Sequence, residues 1–180
     1  MTRFNDTHAG RGMEFEAALN QIHEIYRAQH RALITKNYVR ATIIGDGKLA
    51  RVDGTAIVDY SGLMNGGRFI AFDAKDNAGP SIRLDRLQPH QAEYLWKVAQ
   101  LGGIGFVLAR FNRYECYAIP ISAWAAAIQA HRYGPPEVDL RARFHPTGKA
   151  SINEHELPPE WAIDGYDWLK TISLKEVTQT

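Results

Sequence analysis

The stretch 56–75, AIVDYSGLMNGGRFIAFDAK, constrains the fold more than any other part of the chain. Two apolar runs flank a segment rich in glycine and asparagine at 61–67, a pattern that predicts a β-hairpin. Asp59 ends the first run, and Asp73 and Lys75 close the second. Because side chains alternate across a strand, Asp73 and Lys75 share one face, and a hairpin brings Asp59 close to both.

Two carboxylates and a lysine at the edge of an apolar sheet are costly to desolvate without compensation. Mg²⁺ would compensate if Asp59 and Asp73 each supplied an oxygen ligand, since this ion keeps several waters and accepts a substrate phosphate. Lys75 would then stabilise developing charge or position the attacking water. The spacing is short and degenerate, however. A structural ion pair between Lys75 and one aspartate, with the other solvated, fits the pattern equally well.

Composition favours one soluble domain with a substantial core, since 45% of the 180 residues are hydrophobic and 23% are charged. We expect residues 1–12 to form a flexible arm and 13–180 a single domain. The net charge of +1 requires any nucleic-acid binding to come from a local basic surface. The single cysteine, Cys116, excludes an internal disulfide and a cysteine-based zinc site. No signal peptide or membrane span is recognisable, so we expect a cytoplasmic protein without membrane contact.

Two amphipathic helices are predicted, at 13–29 and from 84 or 85 to 101. Glu14 lies near the predicted start of the first helix, where it either interacts with the helix dipole or reaches the metal as an outer ligand. Gln91 lies on the inward stripe of the second helix. Either its carbonyl oxygen points at the metal, or its amide forms a hydrogen bond with backbone at the end of the sheet. The remaining predicted elements are strands at 32–36, 38–44, 104–111 and 115–121 and an Ala-rich helix at 121–131.

Two further segments have the composition of a nucleic-acid contact. Arg40, Lys48 and Arg51 flank a predicted turn at 45–47 and are candidates for phosphate contacts. The tail from residue 138 interleaves basic residues with aromatic ones, which either stack on bases or cover the core. Its aromatic residues are Trp161, Tyr166 and Trp168.

The order helix, strand, hairpin with Asp…(Asp/Glu)-x-Lys, helix, strand resembles the PD-(D/E)xK nuclease fold. Within that fold the sequence resembles the RecU family of Holliday junction resolvases. Several ordered motifs carry the resemblance. They are RGMEFEAALN at 11–20, DYSG at 59–62, GGRFIAFDAK at 66–75, PHQAEYL at 89–95, GGIGFVLARF at 102–111 and, more weakly, KASINEHEL at 149–157.

The resemblance implies an α/β fold with a restriction-endonuclease-like core, in which helices flank a central mixed sheet. It also implies that Asp59, Asp73 and Gln91 bind the metal and that Lys75 stabilises the transition state. Glu14 falls in the N-terminal helix motif of the family. The implied cofactor is Mg²⁺, with Mn²⁺ as a substitute.

By the same resemblance, the implied activity is metal-dependent endonucleolytic resolution of four-way DNA junctions. A homodimer would make symmetric nicks, because such a junction has approximate two-fold symmetry. Two alternatives remain open. One is another endonuclease of the same fold that acts on duplex or damaged DNA, and the other is a non-catalytic DNA-binding protein.

Three features depart from the family pattern. Asp73 stands where the family usually has Glu, which shortens the ligand by one methylene. Ile57 stands where the family has a Thr that contributes to the metal site. The segment between Thr35 and Asp59 is shorter than the stalk-bearing region of the family.

Overall fold

The structure, a computed structural model, describes residues 8–38, 41–44, 49–52, 56–135 and 144–174. Short 3-10 turns occur at Leu84–Arg86, Glu154–Glu156 and Pro159–Trp161. In chain order the helices and strands are α1 (His8–Ala28), β1 (Ala32–Lys36), β2 (Ala41–Ile44), β3 (Leu49–Val52), β4 (Tyr60–Met64), β5 (Phe69–Asp76), β6 (Ser81–Arg83), α2 (Pro89–Gln100), β7 (Ile104–Phe111), β8 (Glu115–Pro120), α3 (Ile121–Tyr133), β9 (Ser151–Asn153), β10 (Ala162–Ile163) and α4 (Trp168–Leu174).

A six-stranded mixed sheet with the order β1-β4-β5-β7-β8-β10 forms the centre of the fold. Only β5 and β7 pair in parallel, and α2 supplies the crossover that a parallel pair requires. All eight residues of β7 are buried, as a central strand should be. The predicted α/β architecture, a central mixed sheet flanked by helices, is therefore confirmed.

Two helices cover each face of this sheet. Alternation along β5 assigns the faces, because Ala71 packs in the core cluster of α2 and α3 while Phe72 packs in that of α1 and α4. Asp73 and Lys75 therefore belong to the α2 face. The first helix packs its apolar stripe, including Phe15 and Leu19, on the opposite face.

Glycine permits close approach of two backbone segments at two positions, one between β4 and β1 and one between β7 and α2. A Cβ on Gly62 of β4 would lie 2.0 Å from the Leu33 carbonyl oxygen of β1. A Cβ on Gly105 of β7 would lie 2.2 Å from the Leu95 carbonyl oxygen of α2. Because real Cβ contacts are never this short, both strands need glycine at these positions.

The predicted hairpin exists, but its turn is shorter than the sequence pattern indicates. Residues 61–64, which we predicted as part of the turn, belong to β4. All four pair with β1, and residues 61–63 also pair with β5. Pairing on both edges lets a strand extend through a glycine-containing segment. The turn itself covers only 65–68, where Gly66 and Gly67 adopt positive φ values.

Both predicted helix starts are wrong. The first helix begins at His8 and not at residue 13, so positions 8–12 are helical. That residues 1–12 form a flexible arm stays a prediction. Residues 1–7 lie outside the described part of the chain. The second helix begins at Pro89, because a 3-10 turn at Leu84–Arg86 precedes it. That residues 13–180 form a single domain stays a prediction.

The predicted strand at 38–44 corresponds to β2, which pairs only with β3 in a separate two-stranded sheet. The predicted turn at 45–47, Arg40, Lys48 and the side chain of Arg51 lie outside the described residues. Within the ranges that the structure describes, no helix is both long and apolar enough to cross a membrane.

In the tail, the prediction that the aromatic residues cover the core is confirmed for Trp168, which is fully buried. Trp161 packs against the cluster on the α2 face. Tyr166 packs on the α1 face and accepts a hydrogen bond from Arg110.

Candidate active site

The hairpin places Asp59 next to Asp73, as predicted. Tyr60 pairs with Phe72, so the register continued by one residue sets Asp59 opposite Asp73. Asp59 Oδ2 accepts a 2.9 Å hydrogen bond from the backbone N–H of Ala74, which fixes this carboxylate against β5.

Asp73 is fully buried, yet only one of its oxygens is hydrogen-bonded. Oδ1 accepts a 2.6 Å bond from Gln91 Nε2. Oδ2 lies 2.5 Å from Lys75 Nζ, but the angles of this ion pair do not satisfy a hydrogen bond, and Oδ2 has no other partner. Lys75 is therefore the described group that neutralises Asp73 Oδ2.

Burial, and to a lesser extent the nearby charge of Asp59, raise the pKa of Asp73 from its ordinary value to about 6. The charge of Lys75 acts in the opposite direction, followed by that of Arg86. Two carboxylates that repel each other at close range form a site that favours a cation. The ion pair between Lys75 and one aspartate that the sequence left open is present at Asp73. Metal binding by Asp59 and Asp73 stays a prediction.

Gln91 contacts the site through its amide nitrogen and not through its carbonyl oxygen. Its Oε1 accepts a 2.9 Å hydrogen bond from the backbone N–H of Gln88, the residue that caps α2. This bond sets the orientation of the amide, because only an oxygen can accept there. The predicted bond to backbone is present, whereas coordination through Oε1 would require the amide to rotate and lose it.

Glu14 is not brought to this site. It is exposed on α1, the helix that packs on the opposite face of the sheet, and no described contact links it to Asp59, Asp73 or Lys75. The predicted interaction with the helix dipole is also wrong, because α1 begins at His8 and its first turn contains no acidic residue.

Glu16 is another acidic residue of α1, and the sequence interpretation did not single it out. It is partly buried, pairs with Lys36 and lines a cleft of about 260 Å³ together with Ala74 and Asp76 at the end of β5. Glu14 and Glu16 both flank the apolar stripe of the helix, so periodicity alone does not separate them. The ion pair of Glu16 with Lys36 of β1 distinguishes the two residues.

Asp76 and Arg110 form a second buried pair beside the site that sequence reasoning also missed. Arg110 Nε and Nη2 donate to the two Asp76 oxygens at 2.8 and 3.0 Å. The available signal was an arginine inside an otherwise apolar strand. This bidentate pair commits Asp76 to structure, so it does not compete with Asp73 for a cation. Arg86 donates to the Asp76 carbonyl oxygen at 2.8 Å and so lies beside the same strand end.

The donor set suits a hard cation that keeps much of its water. The described residues contain no group of three or more His, Cys, Asp or Glu side chains able to hold a metal. The neighbouring carboxylates of Asp59 and Asp73 are the described groups that could contact a divalent cation here. Ile57, half-exposed two residues before Asp59, offers no oxygen to this set.

The central mixed sheet brings Asp59 and Asp73-x-Lys75 together, which is the arrangement expected from the resemblance to the PD-(D/E)xK fold. Comparison with known families is more specific. The sequence model of RecU, recombination protein U, matches residues 10–137, and the chain belongs to this family. The predicted resemblance is thus confirmed.

Individual relatives agree with this assignment. The Holliday junction resolvase RecU of Oenococcus oeni is 31% identical over 129 residues, which cover 66% of this chain and 65% of that protein. The one of Shouchella clausii is 32% identical over 119 residues, 59% of this chain and 56% of that protein. The chain therefore spans less than two thirds of the length of these relatives.

Among solved structures, a match is Hjc of Archaeoglobus fulgidus, a Holliday junction resolvase from an archaeal hyperthermophile. Its TM-score is 0.43 at 13% sequence identity, over 82% of this chain and 89% of that one.

Proposed function

We propose that this protein is a structure-selective endonuclease that resolves four-way DNA junctions by metal-dependent hydrolysis of phosphodiester bonds. Membership of the RecU family supports the proposal, as does the name of its relatives, Holliday junction resolvase. The observation that carries the chemistry is the fully buried Asp73 carboxylate, which lies opposite Asp59 and has Lys75 Nζ 2.5 Å from its Oδ2.

The proposed cofactor is Mg²⁺, with Mn²⁺ as a substitute, held by Asp59 and Asp73. When bound, the ion neutralises charge at the scissile phosphate and activates a water for in-line attack. The chain supplies the remaining functions. The backbone N–H of Ala74 orients Asp59, and the amide of Gln91 orients Asp73.

Lys75 has a separate task in this proposal. Its ammonium lies at Asp73 and its side chain is 14% exposed, so the ammonium can reach a phosphate at the mouth of the site. There it stabilises the negative charge that develops as the phosphodiester is attacked. A purely DNA-binding protein would gain nothing from two carboxylates at this place, which favours an enzyme over the non-catalytic alternative.

The proposed active form is a homodimer acting on DNA in the cytoplasm. A four-way junction has approximate two-fold symmetry, so a symmetric dimer places one site on each of two opposed strands. Affinity would come mainly from contacts to phosphates and from the shape of the junction, with little reading of bases.

The test is a nicking assay on end-labelled four-way junctions, compared with linear duplexes that carry the same arm sequences. We expect cleavage that requires Mg²⁺ or Mn²⁺, symmetric cuts on two opposed strands and little cleavage of the duplex. Equal cleavage of both substrates would instead support an endonuclease of the same fold that acts on duplex DNA. Binding without scission at any metal concentration would support the non-catalytic alternative.

A further inference from the structure

An arginine of the 3-10 turn before α2 lies against the end of β5. Arg86 Nη1 donates to the Asp76 carbonyl oxygen at 2.8 Å and lies 3.4 Å from Asn77 Oδ1. The turn is fixed in place, because Leu84 and Leu87, which flank Arg86, are buried in the core cluster of the α2 face. The guanidinium is therefore held at one place, while the Arg86 side chain remains exposed.

Two links place this guanidinium beside the candidate site. Asp76, whose carbonyl it contacts, directly follows Lys75, and Lys75 Nζ lies 2.5 Å from Asp73 Oδ2. Further along the segment that carries Arg86, Gln91 donates to the other oxygen of Asp73 at 2.6 Å. The charge of Arg86 also acts to lower the pKa of Asp73, against the larger effect of burial, so it is close enough to act on that carboxylate.

The separation along β5 indicates which phosphate Arg86 can reach. Asp76 comes three residues after Asp73, which is roughly 10 Å along a strand. Lys75 lies closer to Asp73 and contacts the scissile phosphate in the proposed function. Arg86 is therefore placed for a neighbouring phosphate of the same DNA strand.

The cleft of about 260 Å³ at this strand end, between α1 and β5, is lined in part by Arg86. Ala74 forms another part of its wall, and the backbone N–H of Ala74 donates to Asp59 Oδ2 in the candidate site. The cleft and the candidate site therefore adjoin each other at Ala74.

The charges around the cleft favour an anion. Both carboxylates of its lining are already paired, Glu16 with Lys36 and Asp76 with Arg110. Arg86, in contrast, contacts only neutral oxygens within the part of the chain that the structure describes. A guanidinium that no described carboxylate contacts suits a phosphate oxygen.

We propose that this cleft binds the phosphate next to the scissile one on the cleaved DNA strand, and that Arg86 is the group that contacts it. The inference rests on the proposed function and assigns part of its substrate-binding surface. Arg86 is then a positioning residue, because a neighbouring phosphate held in place orients the scissile bond against Asp73 and Lys75. Such a contact reads no bases, as expected for an enzyme that selects DNA by its shape.

The decisive variant is Arg86→Gln, with Arg83→Gln as its matched control. Both remove one positive charge from the same short segment, but Arg83 is exposed and already donates to both carboxylate oxygens of Asp85. Without divalent metal, Arg86→Gln should weaken junction binding about threefold to tenfold and reduce the dependence of log K on log salt by about 0.9. Arg86→Lys should restore the salt dependence, because it keeps the charge.

The control decides whether the effect belongs to the cleft. Arg83→Gln should bind junctions with nearly wild-type affinity and salt dependence, and equal losses in the two glutamine variants would overturn the inference. If Arg86 only holds the Asp76 carbonyl, Arg86→Gln lowers the melting temperature and leaves the salt dependence unchanged, which also overturns it.

A chemically modified junction locates the contact. Once the nicking assay has mapped the scissile phosphate, two junctions are made with an uncharged methylphosphonate at the phosphate immediately 5′ or immediately 3′ of it. At one of these positions the wild-type protein should lose about threefold to tenfold in affinity. Arg86→Gln should lose no further affinity there, because its contact is already absent. Equal losses for the two proteins at both positions would overturn the inference.

The wild-type protein separates the two hypotheses. If it binds and nicks junctions while Arg86→Gln binds with unchanged affinity and salt dependence, the role of this cleft is overturned and the proposed function stands. If the wild-type protein neither binds nor nicks junctions, the proposed function fails and this inference fails with it.

Discussion

Gln91 Nε2 donates a 2.6 Å hydrogen bond to Asp73 Oδ1, while Oε1 of the same amide accepts from the N–H of Gln88. One side chain therefore both closes the first turn of α2 and orients the fully buried carboxylate of β5. Groups that orient a metal ligand in this way strongly affect metal affinity and activity. In the observed arrangement Gln91 acts on the site through Asp73.

Gln91→Leu should reduce nicking about 10- to 100-fold, because it leaves Asp73 without its hydrogen-bond donor. It should also lower the free energy of unfolding by about 1–2 kcal/mol, since two hydrogen bonds are lost. Urea denaturation and the junction assay measure the two effects. Gln88→Ala is the matched control, because it keeps the backbone N–H that Gln91 uses and should nick normally. Wild-type nicking by Gln91→Leu would contradict this role.

Asp73→Asn should abolish nicking, leave junction binding largely intact and stabilise the metal-free protein at pH 7.5. The raised pKa of about 6 means that burial opposes the charged form, so the stability this carboxyl contributes falls as the pH rises toward and through 6. Removing the charge should therefore increase the free energy of unfolding by up to about 3 kcal/mol. Added Mg²⁺ should raise the melting temperature of the wild-type protein but not of the variant.

Lys75→Ala is the matched comparison for Asp73→Asn. It should also abolish nicking and retain junction binding, but the melting temperature should fall, because Asp73 loses its countercharge. A higher melting temperature for Asp73→Asn and a lower one for Lys75→Ala, with nicking lost in both, are expected only if the two residues form a destabilised catalytic pair. Retained cleavage by either variant would remove the site assignment.

Gly105→Ala should destabilise the protein by on the order of 3 kcal/mol, because the added methyl group meets the Leu95 carbonyl oxygen and pushes α2 off the sheet. Nicking should fall as well, since α2 carries Gln91. Gly12→Ala is the control: its Cβ meets nothing within 4 Å in the interior of α1, so it should stabilise by about 0.5–1 kcal/mol. Equal melting temperatures for the two variants would refute the packing argument.

His23 should make the protein sensitive to acid. It is buried in the core, where its Nε2 accepts a hydrogen bond from Trp168 Nε1 at 3.2 Å, and burial lowers its pKa to about 4. A lowered pKa gives stability that is fully present above about pH 6.5 and is lost as the pH falls through 4, by about 3 kcal/mol in all.

His23→Gln keeps an acceptor for Trp168 but does not titrate. Its free energy of unfolding, measured in urea between pH 4 and 7, should depend less on pH than that of the wild-type protein. Parallel curves for the two proteins across this range would show that His23 does not contribute the acid sensitivity.

Local sequence patterns were sufficient for the strands at the centre of the sheet and for the charges they carry. Alternation in the stretch 68–75 placed Asp73 and Lys75 on one face, and the uninterrupted apolar run at 104–111 predicted the central strand. These features depend on the period of the backbone and on burial, both of which are written in neighbouring residues. The hairpin then brought Asp59 to the same place.

Other features depend on partners distant in the chain, and only the tertiary structure decided them. The strand at Tyr60–Met64 forms because it pairs on both edges, and the amide of Gln91 is oriented by a helix cap and by a carboxylate on another strand. Glu16, and not Glu14, lines the cleft at the end of β5, because α1 packs on one particular face of the sheet. A sequence fixes which groups a segment carries, whereas the free energy of packing determines which of them meet.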